Sequence, residues 1–265
     1  MHRIITATLF TCFIALPAWA SELSTRLMEV AQIERLLAQL SREAERSAVF
    51  VDDDFLDGNG GPVFHDTIKK FNDPARLTPR FEELLMEKLD DQQVEALLLF
   101  FESALGQEIV ELELSAREVM FDDEVEQSVR EQVAQTGTPD LVLRMIEEGD
   151  LIERNIVDAM SALRQFYLGQ IDGGLPDFTH SDVESLLAES EEAMRIDTQI
   201  WLESFLTFAY SPLDEADLTT YVELWETQTG KAYDTALFYA FATLFEEIGF
   251  ATGQLVARLS QVNDI

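Results

Sequence analysis

The chain has 265 residues, with 51 acidic against 18 basic side chains and a formal net charge of -33 at pH 7. This acidity excludes the basic surface that nucleic acid requires and disfavours docking on anionic lipid, so we expect no nucleic-acid partner. Because 47% of the residues are apolar, with only 12 glycines and 7 prolines, the composition favours a folded core built from long helices.

The first twenty residues have the pattern of a secretory signal peptide. Arg3 precedes a mostly apolar run at positions 4–16, and the small residue Ala20 suits a cleavage site. As a helix this run rises only about 20 Å, too short for a bilayer core of roughly 30 Å. We therefore predict cleavage after Ala20 and a periplasmic mature chain without a membrane span. Since Cys12 is the one cysteine, disulfides and thiol chemistry are not expected.

The next segments have helical periodicity interrupted by turn residues. Apolar side chains recur every three or four positions over residues 23–50, which predicts one amphipathic helix. A glycine-rich stretch predicts a loop over residues 52–64. Thr78 followed by Pro79 then predicts the start of another helix, because proline is favoured at the first helical position.

Further helix signals continue along the chain. Asp90 with Gln93 three residues later predicts a capping pair. Thr138 with Pro139 predicts a new helix after the clearest break in the sequence. Residues 236–245 are apolar on all sides, which predicts the central core helix of the second half of the chain. A face for a partner helix is the alternative interpretation of that segment.

The same order of features occurs twice. Residues 89–106 and 213–230 share four identical positions and four similar ones. An internal duplication of about 120 residues is the simplest explanation. We therefore predict an all-α fold in which two tandem related units form a duplicated helical bundle. The predicted segments are a signal peptide at 1–20, a first helical unit at 21–137 and a second at 138–265.

Residues 84–94 and the following Phe-Phe-Glu-Ser-Ala-Leu-Gly-Gln at 100–107 resemble the bacterial family of exported domains of unknown function numbered twenty fifty-nine. That family has an acidic helix start and then Phe-Tyr-any-Ser-Pro-any-Gly-Gln-Lys. Here Phe101, Ala104 and Glu108 replace the Tyr, Pro and Lys. The resemblance implies an exported, all-helical module, with a second, more diverged copy at 224–231, and it implies no catalytic residues.

The pattern of this motif also has a physical interpretation. A buried aromatic residue, a hydroxyl residue able to cap a helix and a nearby glycine suit a tight corner between two helices. Gly106 and Gly230 would permit either a positive φ or close backbone contact at that corner.

Two histidines beyond the signal segment occupy matching positions, each close to an aspartate. If the two halves met, His65 and Asp66 with His180 and Asp182 could hold a divalent cation. The alternative is that both histidines start helices, with residues 181–184 as a capping box. No helical His/Glu metal motif, nucleophile motif or nucleotide-binding motif is present, so we expect no cofactor and assign no catalytic residue.

Two functional hypotheses follow. The first is an exported, periplasmic, non-catalytic interaction or binding module whose partner is another envelope protein. The alternative is a divalent-cation-binding protein or small hydrolase that uses the paired His/Asp segments where the two repeats meet. The sequence leaves the oligomeric state open.

Overall fold

The computed structural model describes residues 17–175 and 179–263, and within these ranges it contains twelve α-helices and no strand, which confirms the all-α prediction. Most of the predicted signal peptide, residues 1–16, lies outside the described ranges, so cleavage after Ala20 stays a prediction. The helices are α1 (Pro17–Val30), α2 (Ile33–Leu56), α3 (Gly61–Phe71), α4 (Pro74–Met86), α5 (Asp91–Phe101), α6 (Ala104–Met120), α7 (Asp123–Thr136), α8 (Asp140–Glu148), α9 (Leu151–Asp172), α10 (His180–Tyr210), α11 (Glu215–Glu226) and α12 (Gln228–Asn263).

The capping pair predicted at the start of α5 is confirmed. The Asp90 carboxylate accepts from the backbone N–H of Gln93 at 2.9 Å, and the Gln93 side-chain oxygen accepts from the backbone N–H of Asp90 at 2.9 Å. Two backbone donors that the helix leaves unpaired are thereby satisfied.

Two tight corners, between α5 and α6 and between α11 and α12, have the same local geometry. The Ser103 hydroxyl accepts from the Gly106 N–H at 3.0 Å, and the Thr227 hydroxyl accepts from the Gly230 N–H at 2.9 Å. A Cβ atom at either glycine would overlap a backbone carbonyl of the preceding helix. Neither glycine has a positive φ, so close backbone contact is what requires glycine at these corners. The wider duplication stays a prediction.

Two predicted boundaries near the start of the chain are wrong. Two helices, α1 and α2, occupy residues 23–50, with Gln32 between them in the left-handed region at φ 49°. The loop predicted over residues 52–64 is shorter, because α2 continues to Leu56 and α3 begins at Gly61. Leu56 is buried, so the last turn of α2 is stabilised by packing that local turn propensity does not reveal.

The predicted proline-led start of α4 is also misplaced. This helix begins five residues earlier, at Pro74, where the Asp73 carboxylate accepts from the Ala75 N–H at 3.0 Å. Pro79 therefore lies inside α4. Asp73-Pro74 offers the same combination of cap and proline as Thr78-Pro79, and its side-chain cap is the one that forms.

Two later helix starts differ from prediction in the same manner. Pro139 occupies the N-cap position of α8 without a side-chain cap, and the Thr138 hydroxyl instead donates to Glu203 at 2.7 Å. Thr179 with Asp182 forms the capping box of α10, two residues before the predicted one. In both cases the N-cap position lies one or two residues away from the residue that was predicted to occupy it.

Helices α9 and α12 run in the same direction along an extended contact. Gly169 lies against the backbone of Phe250, and Gly253 lies against the backbone of Phe166. At each glycine a Cβ atom would overlap a carbonyl oxygen of the opposite helix. The absence of side chains thus permits the close approach of the two backbones.

Three hydrophobic clusters form the core, and each combines residues from both predicted units. The first joins α1, α2 and α4–α6 to Ala236, Ala240 and Leu244 of α12. The second joins α6–α8 to α10 and α11, and the third joins α2 and α3 to α9 and α12. The segment 236–245 therefore lies in a core built largely by the first half of the chain, which corrects its assignment as the core helix of the second. The boundaries of the two units stay a prediction.

None of the helices in the described part of the chain is long and apolar enough to cross a lipid bilayer.

Candidate functional site

Helix α6 lies between two hydrophobic clusters and carries an acidic residue toward both of them. Val110 and Leu114 belong to the first cluster, and Ile109 and Ala116 belong to the second. Glu113 is three or four positions from Ile109, Val110 and Ala116, which places it on the buried side of the helix. The fold thus brings a carboxyl group into the interior.

Two tyrosines hold this carboxyl group by the same oxygen. The Tyr210 hydroxyl of α10 donates to Oε1 of Glu113 at 2.6 Å, and the Tyr221 hydroxyl of α11 donates to the same atom at 2.8 Å. Both tyrosines are buried. No residue in the described part of the chain donates to the second oxygen, Oε2.

The protonation of this cluster follows from its burial. Burial raises the pKa of the Glu113 carboxyl above its usual range, and the hydrogen bonds from Tyr210 and Tyr221 partly oppose that increase. Burial, reinforced by the proximity of Glu113, raises the pKa of both phenols well above the ordinary tyrosine value. The phenols are therefore neutral donors at physiological pH, and the environment favours a protonated carboxyl.

Glu113 borders a cavity of about 240 Å³, here called cavity A. Its inner wall is aromatic and aliphatic, while Glu148 and Lys231 are exposed and mark the side where it reaches solvent. The residues that line cavity A are Glu113, Met145, Glu148, Gly149, Leu151, Phe205, Leu206, Tyr210, Tyr221, Trp225, Lys231 and Asp234.

A second space of about 190 Å³, cavity B, is also lined by Glu113. It shares four wall residues with cavity A, namely Glu113, Phe205, Tyr221 and Trp225. Glu113 keeps an intermediate accessible area although protein surrounds its carboxyl group, as expected of a side chain that borders cavities. Cavities A and B thus adjoin around one carboxyl.

The aromatic rings beside Glu113 meet at steep angles. The Tyr210 and Tyr221 ring centroids are 5.7 Å apart at 75°, and those of Tyr221 and Trp225 are 5.6 Å apart at 70°. Trp225 in turn stacks on Tyr233 at 5.9 Å. Edge-to-face and offset-stacked contacts are the arrangements that aromatic rings prefer, so they favour this placement of the rings that line the cavities.

The fold and this geometry define a class: an all-helical protein with an aromatic cavity that contains one half-satisfied, buried carboxyl group. Residues 75–135 match the model of a bacterial family described as "Uncharacterized protein conserved in bacteria (DUF2059)", which confirms the resemblance drawn from the residues around Gly106. The matched span includes Glu113, whereas Tyr210 and Tyr221 lie beyond it. No curated protein and no solved structure matches the chain significantly.

The first of the predicted metal candidates lies within α3. His65 is the fifth residue of this helix, and its Nε2 is 3.0 Å from Oδ2 of Asp52. Asp66 is exposed and borders a shallow surface depression that also contains Lys69 and Lys70. The close partner of His65 is therefore a carboxylate on the preceding helix.

The second pair is at the surface. His180 is the exposed first residue of α10, and the Asp182 carboxylate accepts from the Thr179 N–H at 2.8 Å within the helix cap. In residues 17–175 and 179–263, no group of three or more His, Cys, Asp or Glu is placed to hold a metal ion. The structure consequently assembles neither pair into such a group.

Sequence reasoning overlooked the residues that form the cavity. Trp225 lies within the second, more diverged copy of the motif at 224–231, where nothing marks it as part of a cavity, and Glu113 is one of 51 acidic residues. One signal was available: Glu113 occupies an apolar position in the periodic pattern of α6. Tyr210 and Tyr221 had no comparable signal, because buried tyrosines are ordinary core residues.

Proposed function

We propose that the protein is an exported, periplasmic, non-catalytic binding module that holds a small molecule beside Glu113. The observation that carries the proposal is the unpartnered Oε2 of a carboxyl group that borders both cavity A and cavity B. Glu113 keeps accessible area, so an oxygen without a protein donor beside a cavity is free to accept a contact from a molecule that enters the cavity. The exported location rests on the predicted signal peptide.

The chemistry of the cluster favours binding over catalysis. Its three hydrogen-bonded groups are one carboxyl and two phenols, and the phenols have pKa values raised far from the range useful to a general base. Both phenols also donate to the same oxygen, so they orient Glu113 rather than activate a nucleophile. The cluster can therefore recognise a ligand group, while a reaction would need a further reactive partner.

A fragment screen with a matched pair of variants tests this function. Met145 is buried and lines cavity A, whereas Leu143, on the same helix α8, is 36% exposed. We expect ligand-observed NMR to detect fragments that bind the wild-type protein and Leu143→Phe but bind Met145→Phe more weakly, because the bulkier and more rigid ring narrows the cavity. Circular dichroism would verify that both variants keep the helical fold.

The same screen can contradict the proposal. If no fragment binds the wild-type protein, or if the fragments that bind do so equally in Met145→Phe, cavity A is not a ligand site.

A further inference from the structure

We propose that the site at Glu113 accepts a small organic cation, of the alkylated or quaternary ammonium class, with its charge beside Oε2 and its carbon groups against the aromatic walls of cavity A. This inference rests on the proposed function and specifies its ligand. It follows from the charge balance of the site, from its lining and from its size.

The first argument is the missing countercharge. Two partly buried carboxylates elsewhere in the described part of the chain have a basic partner: Glu43 with Arg117 at 2.8 Å, and Asp234 with Arg154. Within the described residues, Glu113 is bonded only to two neutral phenols. A cationic ligand would supply the charge that the fold leaves out at this position.

The second argument is the aromatic lining. Tyr210, Tyr221, Trp225 and Phe205 all border cavity A beside the carboxyl. Aromatic rings attract cations through their negative faces, and clusters of such rings recognise alkylated ammonium groups, whose methyl groups also gain from leaving water. A ligand with a diffuse positive charge therefore suits both the carboxyl group and the aromatic rings that line cavity A.

The third argument concerns the entrance and the size of the site. The exposed charges where cavity A reaches solvent, Glu148 and Lys231, have opposite signs, and Asp234 is paired with Arg154. These groups largely compensate one another, so an ionised Glu113 would have no countercharge among the residues that line cavity A. A volume of about 240 Å³ admits a compact molecule and excludes a long acyl chain.

A neutral ligand that accepts a hydrogen bond would show the opposite pH dependence of affinity from an organic cation. A protonated Glu113 would donate from Oε2 to a neutral acceptor, whereas an organic cation favours the ionised carboxylate. Affinity for a cation should consequently rise with pH, and affinity for a neutral acceptor should fall. Among the other titratable groups on the cavity walls, burial raises the pKa of Tyr210, Tyr221 and Tyr233, so these phenols stay neutral. The remaining ones, Glu148, Lys231, Asp234 and Arg117, are present in both the wild-type protein and Glu113→Gln, so the difference between the two isolates the contribution of Glu113.

The test compares choline with its uncharged isostere 3,3-dimethylbutan-1-ol by isothermal titration calorimetry at about pH 5 and about pH 8. We expect choline to bind the wild-type protein more tightly at the higher pH, and to bind Glu113→Gln at least about tenfold more weakly. Glu108→Gln is the matched control, because Glu108 is an exposed acid on the same helix. It should keep the wild-type affinity.

Three results would overturn the cation proposal. These are equal or tighter binding of the neutral isostere, unchanged choline affinity in Glu113→Gln, and the absence of choline binding to the wild-type protein. None of these results would contradict the proposed small-molecule function. That function is tested separately by the fragment screen, which includes neutral compounds and compares the wild-type protein with Met145→Phe.

Discussion

Two acidic side chains inside this protein, Asp52 and Glu113, are bonded in contrasting ways. Asp52 Oδ1 accepts from the Gly60 N–H at 2.7 Å, and Asp52 Oδ2 lies 3.0 Å from Nε2 of His65, so each oxygen has its own partner. Both donors to Glu113 share one oxygen, and no described residue donates to the other oxygen of this residue, which lines cavities A and B. The partners of Asp52 are close in sequence, whereas those of Glu113 come from distant helices.

This difference separates a structural carboxyl from a binding one. Asp52 fixes the turn between α2 and α3, and its hydrogen-bonding capacity is used on both oxygens. Glu113 is positioned by two phenols but keeps one oxygen without a protein partner. A fully satisfied buried group stabilises a fold, while a partly satisfied one keeps an unmet interaction that a ligand can complete.

The largest effect should come from removal of the structural carboxyl. Asp52→Ala leaves the Gly60 N–H unpaired in a tight turn, so we expect it to lower the free energy of unfolding by about 2–3 kcal/mol. Urea unfolding measures this loss, and Asp53→Ala, at an exposed neighbour, is the control that should change little. A loss no larger than that of the control would mean that Asp52 does not hold the turn.

The phenols should matter less for stability. Tyr210→Phe removes one of two donors to Glu113, and we expect a cost of about 1 kcal/mol because Tyr221 still satisfies the same oxygen. Tyr239→Phe is the matched control, since its hydroxyl donates to Glu87 in an exposed pair. Thermal unfolding measures both losses of stability. Equal losses would mean that the buried Tyr210–Glu113 hydrogen bond stabilises the protein no more than the exposed Tyr239–Glu87 hydrogen bond does.

A smaller effect is expected at the partner of Asp52. His65→Ala removes one of the two contacts of that carboxylate, and the histidine is 42% exposed, so we expect a loss of about 0.5–1 kcal/mol. The backbone contact to Gly60 remains. A loss as large as that of Asp52→Ala, measured by the same urea titration, would show that the histidine rather than the backbone contact stabilises the turn.

Glu113→Gln should change the stability of the protein least at acidic pH. The sign of its effect at alkaline pH is the informative result. Because burial raises the folded pKa of Glu113, the folded state binds more protons than the unfolded state, and this contribution to stability is lost as pH rises through the folded pKa. The neutral amide keeps an oxygen for both phenols and removes this dependence. We therefore expect little change in acid and a more stable variant at alkaline pH.

Thermal midpoints recorded from acid to alkaline pH measure this difference. The charged groups that share the cavities with Glu113, namely Glu148, Lys231, Asp234 and Arg117, are unchanged in the variant and cancel in the comparison with the wild type. A variant that is less stable than the wild type at alkaline pH would contradict the assignment of Glu113 as a buried acid with a raised pKa.

The sequence was most informative where the relevant contacts are local. The capping pair at Asp90 and Gln93 and the two glycine corners at Gly106 and Gly230 involve groups within a few residues of each other, and the structure confirms them. Helix starts were missed where two equivalent signals competed. At α4, for example, the cap at Asp73 formed rather than the one expected at Thr78.

The sequence by itself determined the all-helical class, several local helix caps and the strongly negative net charge, because these depend on periodicity, neighbouring residues and composition. Only the tertiary structure decided where α12 packs and which of 51 acidic residues is buried beside a cavity. The partners of Glu113 lie 97 and 108 residues further along the chain, and such a contact has no local pattern. It arises because α6, α10 and α11 enclose one carboxyl group between them.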